Sequence, residues 1–214
     1  MFSLLHQFKQ SIILQLFTVY LRYLIGSAFI IAAFGMGKMN GTSNLIQSMN
    51  KPIEQLLPIQ QFFRVMQDSG MYWQFIGWSQ IIAGALLLTQ RLARLGALIF
   101  FGLILNIFII TLSYGFQGTP VVTGLMLLAT IYLLVWDLPS FMPLIKNSFH
   151  YAPVPLKLAD HLFWIILGGV MLASIVILAL VHQNTLFQLA LLFAEGLVGF
   201  ILYMGWIRKK ATIE

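Results

Sequence analysis

The sequence contains no cysteine in 214 residues. Disulfide exchange, thiolate catalysis, iron–sulfur clusters and thiolate-held metals are therefore excluded for this chain acting alone. Charge is almost as scarce. Only 8% of residues are charged, with six acids against twelve Lys and Arg, where a soluble domain carries roughly a quarter. No HExxH, paired-carboxylate or nucleophile–base arrangement occurs. Of the four histidines, His6 is near the start and His150 lies in a proline-rich stretch. His161 and His182 bound one apolar run and would sit about 31 Å apart at helical rise, so they cannot ligate one metal or haem together. Strict period-2 alternation is also missing, which argues against a membrane β-barrel.

Apolar residues fill the space left: 60% of the chain is hydrophobic. Six runs reach the length of a spanning helix, each of about 20 residues. They cover about 14–36, 71–90, 93–114, 120–137, 160–182 and 185–207. The fold class expected is an all-α integral membrane protein. The first run is too long for a signal-peptide core and has no convincing small-residue cleavage site, so a retained first helix is expected. The formal charge of +6 does not point to nucleic acid, because the basic residues flank apolar runs. There they set topology first and meet anionic lipid second. With both termini cytoplasmic, the inner side holds Lys9, Arg91, Arg94, Lys146, Lys157, Arg208, Lys209 and Lys210, and the outer side only Lys38, Lys51 and Arg64. That asymmetry sets the expected orientation.

Two connections are longer than a helix bundle needs. In the outer one, 38–70, Ile59, Phe62, Phe63 and Met66 recur at i, i+3, i+4, i+7, the pattern of an amphipathic helix, with Gln60, Gln61, Arg64 and Gln67 opposite. Such a helix would lie in the interface or cap the bundle. The inner connection, 137–160, carries Pro139, Pro143, Pro153 and Pro155, a density that argues against a long regular helix. It divides the chain into a four-helix unit (1–137), a linker (138–159) and a two-helix appendage with a basic tail (160–214).

Strong polar groups inside a bilayer are costly and mark candidate sites. Arg22, Gln80, Asn106 and Glu195 fall on four different runs, each roughly 12–20 Å from the inner end at helical rise. A shared polar layer near the midplane is expected, with Gln80 and Asn106 serving either a ligand or plain interhelical hydrogen bonds. Glu195 is the only acid well inside a run, since Asp137 and Asp160 stand at run ends. A charge-neutralising Arg22–Glu195 pair is therefore expected. Lys38 ends the first run at the outer face, where it can hold the loop above it. Gly168, Gly169 and Ala173 make a small-residue face, with Gly26, Gly84, Gly102, Gly124 and Gly199 as further points of close helix contact.

Two stretches, "LRYLIGSAFIIAAFGMGKMNG" and "GWSQIIAGALLLTQRLARLGALI", resemble the DoxX-like family of small bacterial membrane proteins. That family includes the DoxD-type subunit of thiosulfate:quinone oxidoreductase. The resemblance covers about 20–137. Arg22, Gly26 and Lys38 match the first pattern, and Gly77, Gly84, Arg91 and Gly96 the second. Gln80 stands where the family commonly has glutamate, which leaves the negative charge beside Arg22 to be supplied from elsewhere, Glu195 being the candidate. The resemblance implies a bacterial inner-membrane subunit linked to quinone-level redox chemistry.

Two functions are carried forward. In the first, the bundle binds a quinone or lipid headgroup beneath the 38–70 loop, through Arg22, Gln80, Asn106, Glu195 and Lys38, with electrons from a partner or a soluble sulfur donor. No metal or haem is expected. In the second, the protein is not an enzyme but stabilises a partner complex, docked at loop 38–70, or transports a small molecule.

Overall fold

The first apolar run folds as α1 (Ile12–Gly35), and the other helices pack around it. This computed structural model describes residues 8–39, 51–145, 158, 161–181 and 184–207. After α1 come a 3-10 turn (Ile53–Gln55), α2 (Pro58–Asp68), α3 (Met71–Leu88), α4 (Ala93–Ser113), α5 (Thr119–Ile145), α6 (Leu162–Val181) and α7 (Thr185–Leu202), which runs into a π turn (Tyr203–Ile207). Five stretches are long and apolar enough to cross a membrane: α1, α4, Thr119–Pro143 of α5, α6, and α7 through Gly205. The chain is thus a multi-pass helical membrane protein, and its exposed apolar faces are suited to lipid. The helix α3 is shorter, at 18 residues.

Burial identifies α1 as the hub. In its most apolar stretch 67% of residues are buried, against 22–28% in the other four spans. One face of α1 joins α6 and α7 through Val19, Tyr23, Trp164, Met171, Ile175 and Leu192. The other joins α3, α4 and α5 through Ile25, Phe29, Leu87, Phe100, Ile104 and Leu133. Lipid tails are as apolar as these side chains, so close van der Waals packing, rather than a hydrophobic drive, holds such helices together. Glycine sets that closeness at two crossings. A Cβ on Gly84 would lie 2.5 Å from Gly26 O, and one on Gly168 would run into Leu88 O. Of the other small residues singled out above, Gly169 and Gly102 have nothing within 4 Å of a built Cβ and are not contact points.

Antiparallel contacts define two ends. Lys9, Gln90, Asp137 and Leu158 gather at one, tied in part by Gln15, whose Nε2 donates to Lys9 O (2.6 Å) and whose Oε1 accepts from Leu158 N (3.3 Å). Lys38, Trp73, Tyr114 and Phe116 gather at the other, under α2. Proline opens α2 at its first position, and Gln60 Oε1 accepts from the Leu57 N–H (3.0 Å), one half of a capping box. Gly70, at φ +59°, turns the chain directly into α3.

The helix of the fourth apolar run extends into the stretch 138–159 expected to be a linker. Helix α5 continues through Pro139 and Pro143 to Ile145. Each proline removes one N–H from the ladder, freeing the carbonyls of Val135 and Pro139, a loss that membrane helices tolerate when neighbours or local adjustment compensate. Asp137 is therefore inside a helix, not at its end. Residues 146–157 of that connection, 40–50 of the outer loop, the basic tail 208–210, His6, His150 and His182 lie outside the described residues.

Candidate functional sites

The expected midplane layer is not assembled, and helix register explains why. Gly26 meets Gly84, so in the antiparallel α1–α3 pair Arg22 stands opposite Leu88 and Gln80 opposite Ile30. Eight residues separate these levels on α1, about 12 Å at helical rise. Polar groups from one helix pair thus join two different sites, one near each end.

At the Lys9 end, Arg22 Nη2 pairs with Asp137 Oδ2 at 3.0 Å, and both side chains are buried. Arg22 Nη1 donates to Gln90 Oε1 at 3.1 Å. A second cation, Arg94, places Nε 3.8 Å from Asp137 Oδ1. The expected Arg22–Glu195 pair does not form. Glu195 instead accepts a hydrogen bond from Ser174 Oγ (2.5 Å), linking α7 to α6. In the sequence Asp137 stands at the end of an apolar run, before a proline-rich stretch, and so does not declare itself as the partner of Arg22. The signal available was its place, the only acid beside the inner end of the fourth run.

Gln90 reaches Arg22 from the α3–α4 turn, with its own backbone at φ 58°. A left-handed conformation costs a non-glycine residue about 1–2 kcal/mol, so the buried side chain must repay it through the guanidinium. Gln90→Gly relieves the strain but gives up a hydrogen bond to a charged group, worth about 1.5–3 kcal/mol. A small net loss of thermal stability is expected, and Gln90→Ala, which keeps the strain and loses the bond, should cost more. Unfolding midpoints of the two variants in detergent give the order, and the reverse order would remove Gln90 from this role.

At the Lys38 end, the chain turns back after α1 and buries Lys38, which is 5% exposed. Its Nζ donates to Gln80 Oε1 at 2.7 Å and sits 5.1 Å from the centre of the Trp73 ring. Gly77 makes room: a Cβ there would lie 2.8 Å from Lys38 Cβ. From above, Phe63 of α2 meets Trp73 (6.3 Å) and Phe116 (6.3 Å), while Phe62 meets Tyr114 (5.4 Å). Among the described residues no carboxylate forms an ion pair with Lys38, and 40–50 contains no acid. Burial pushes the Lys38 ammonium down to about 8. The buried Trp73 Nε1 has no acceptor among the described residues. Two buried donor groups, the Lys38 ammonium and the Trp73 N–H, thus lie near each other under α2.

The remaining candidate, Asn106, is exposed on the outer side of α4 and joins neither site. A cavity of about 490 Å³ lies between α1, α6 and α7, lined by Tyr20, Ser27, Met171, Leu192, Phe193 and Phe200 among others. Among the described residues no group of three His, Asp or Glu is placed to hold a metal ion.

No family model matches the chain, and no solved structure matches it. Over 80 residues the chain is 38% identical to the uncharacterized protein YwoB of Bacillus subtilis (strain 168), a similarity covering 37% of this chain and 51% of that one. The chain therefore spans about half the length of the curated relative it matches.

Proposed function

We propose that this protein is a redox-associated subunit of the bacterial inner membrane that binds the head of a quinone at Lys38, Gln80 and Trp73, beneath α2. The observation that carries this reading is the buried Lys38 ammonium, which has no carboxylate partner among the described residues, near a Trp73 N–H that has no acceptor among them. A buried cation with only neutral partners is costly, and such a perturbed ionisable group is a candidate ligand site. A quinone fits, because its carbonyl oxygens accept hydrogen bonds and its ring matches an aromatic wall. When bound, it supplies two-electron, two-proton redox chemistry, with electrons from a partner or a soluble donor. Lys38, poised near pH 8, holds or yields a proton at Nζ, Gln80 fixes its direction, and α2 excludes water.

The resemblance adds support, since residues that carry it pack against each other: Gly26 on Gly84, and Gly77 on Lys38. In this reading α3 also spans the bilayer, α1 and α3–α5 form a four-helix unit with α6 and α7 beside it, and α2 is an amphipathic cap. The termini lie on the cytoplasmic side, as the basic residues direct. Arg22, Glu195 and Asn106, once grouped with the ligand, drop out of the binding set.

Mass spectrometry of the gently purified protein should find quinone retained above its share of the extracted lipid, and Lys38→Met should lose it. Equal quinone in both preparations would refute the site. Stability adds an independent check. Folded Lys38 releases its proton near pH 8, whereas the unfolded chain keeps it to about 10.4. The unfolded state therefore binds more protons between these values, and stability of the ligand-free protein should rise across that window. Below pH 8 the penalty is fully present, roughly 3 kcal/mol by the size of the shift. Lys38→Met should raise the unfolding midpoint at pH 7 and flatten its rise between pH 8 and 10.5. An unchanged pH profile would show that Lys38 is not buried as a cation.

A further inference from the structure

Among the described residues, the Lys9 end carries more positive charge than its one carboxylate answers. Lys9 is 4% exposed and its Nζ lies 5.8 Å from the centre of the Trp136 ring, next in sequence to Asp137. Arg22 takes one oxygen of Asp137 at 3.0 Å, and Arg94 approaches the other at 3.8 Å. Three cations thus surround a single carboxylate, and two positive charges are left over among the described residues. The Arg94 side chain is 54% exposed, so the cluster opens outward. Burial holds the Lys9 ammonium below the ordinary lysine range; Asp137 pulls it back up, while Arg94 and Arg22 push it down again. Lys9 therefore senses the same cluster electrostatically.

We propose that Lys9 and Arg94 form a phosphate-binding site, with Asp137 and Arg22 as its fixed floor. The occupant is the phosphodiester of an anionic phospholipid in the leaflet at that end. Three features favour phosphate. The surplus charge is positive, Arg94 is a planar donor suited to phosphate oxygens, and the site lies just before Ile12 and at the start of α4, where headgroups reside. Basic pockets between spanning helices recognise anionic lipid in this way. The site stands apart from the Lys38 end, so it does not depend on the quinone reading.

The test is lipid retention by the full chain in native mass spectrometry, after equilibration with equal phosphatidylglycerol and phosphatidylcholine. Wild type should retain phosphatidylglycerol at least tenfold over phosphatidylcholine, and Lys9→Met or Arg94→Gln should reduce that preference several-fold. Lys51→Gln, an exposed lysine outside the cluster, should leave it intact. Millimolar inorganic phosphate distinguishes the source. If phosphate leaves the lipid bound, the lipid headgroup is the ligand; if it displaces the lipid, free phosphate shares the site. Arg94→Gln removes a half-exposed side chain and should fold normally, so its preference is interpretable even where Lys9→Met is unstable. No preference in wild type, or an equal loss in Lys51→Gln, would overturn the proposal.

Discussion

Asp137→Asn should be among the most damaging single changes in the protein. It removes the carboxylate that pairs with Arg22 Nη2, and both members of that pair are shielded from solvent. Removing one partner of a buried ion pair costs about 3–5 kcal/mol, whereas replacing both by apolar groups of similar volume is often neutral. The double variant Arg22→Met/Asp137→Leu should therefore recover most of what Asp137→Asn loses. Glu195→Gln should cost far less, because its bond to Ser174 is of a kind worth about 0.6 kcal/mol on average in membranes. Unfolding midpoints in detergent, followed by size-exclusion with fluorescence detection, measure all three. Equal losses for Asp137→Asn and Glu195→Gln would show that Asp137 does not answer Arg22.

The second large effect belongs to glycine. Gly168→Ala adds a single methyl whose Cβ would run into Leu88 O, a backbone atom that no side-chain rotation can move. Overpacking typically costs 1–3 kcal/mol, occasionally more, and a backbone clash of this depth belongs at about 3 kcal/mol or above. Helix α6 must withdraw from the end of α3, carrying Trp164 and its carbonyl away from the Tyr23 hydroxyl that donates to it. One residue later the outcome reverses. Gly169→Ala meets nothing within 4 Å and should be neutral or stabilising, because alanine favours helix over glycine by up to about 1 kcal/mol. Unfolding midpoints of the two variants measure the contrast, and similar values would mean that α6 does not approach α3 as described.

The two glycines also show what a sequence can and cannot convey. Long apolar runs announce α1 and α4–α7, because composition alone decides which segments prefer lipid. The small residues advertise close contact but not its direction. Gly168 and Gly169 look alike until α6 is rotated into place. The same limit misplaced Arg22. Depth along each run put Arg22, Gln80, Asn106 and Glu195 at similar levels, but rotation turns Asn106 outward and Glu195 toward Ser174. Register, fixed by Gly26 on Gly84, offsets Gln80 toward Lys38. Asp137 was hidden by a local rule, that proline ends a helix, which the membrane setting overrides at Pro139 and Pro143. Gln90 was invisible because nothing in a glutamine foretells a left-handed backbone.

Arg22 and Lys38 emerge with opposite electrostatic standing. Arg22 is answered within the fold by Asp137, while Lys38 is buried with only neutral partners, Gln80 and Trp73, among the described residues. A buried cation held only by neutral groups is costly, a cost that a bound acceptor would offset. The most direct test is equilibrium binding of a short-chain benzoquinone to the full chain in nanodiscs, wild type beside Lys38→Met. The expected result is saturable binding to wild type, weakened at least tenfold by Lys38→Met while that variant unfolds at a higher temperature. Equal affinity in the two proteins, or no saturable binding to wild type, would contradict the assignment of Lys38 as the ligand-binding cation.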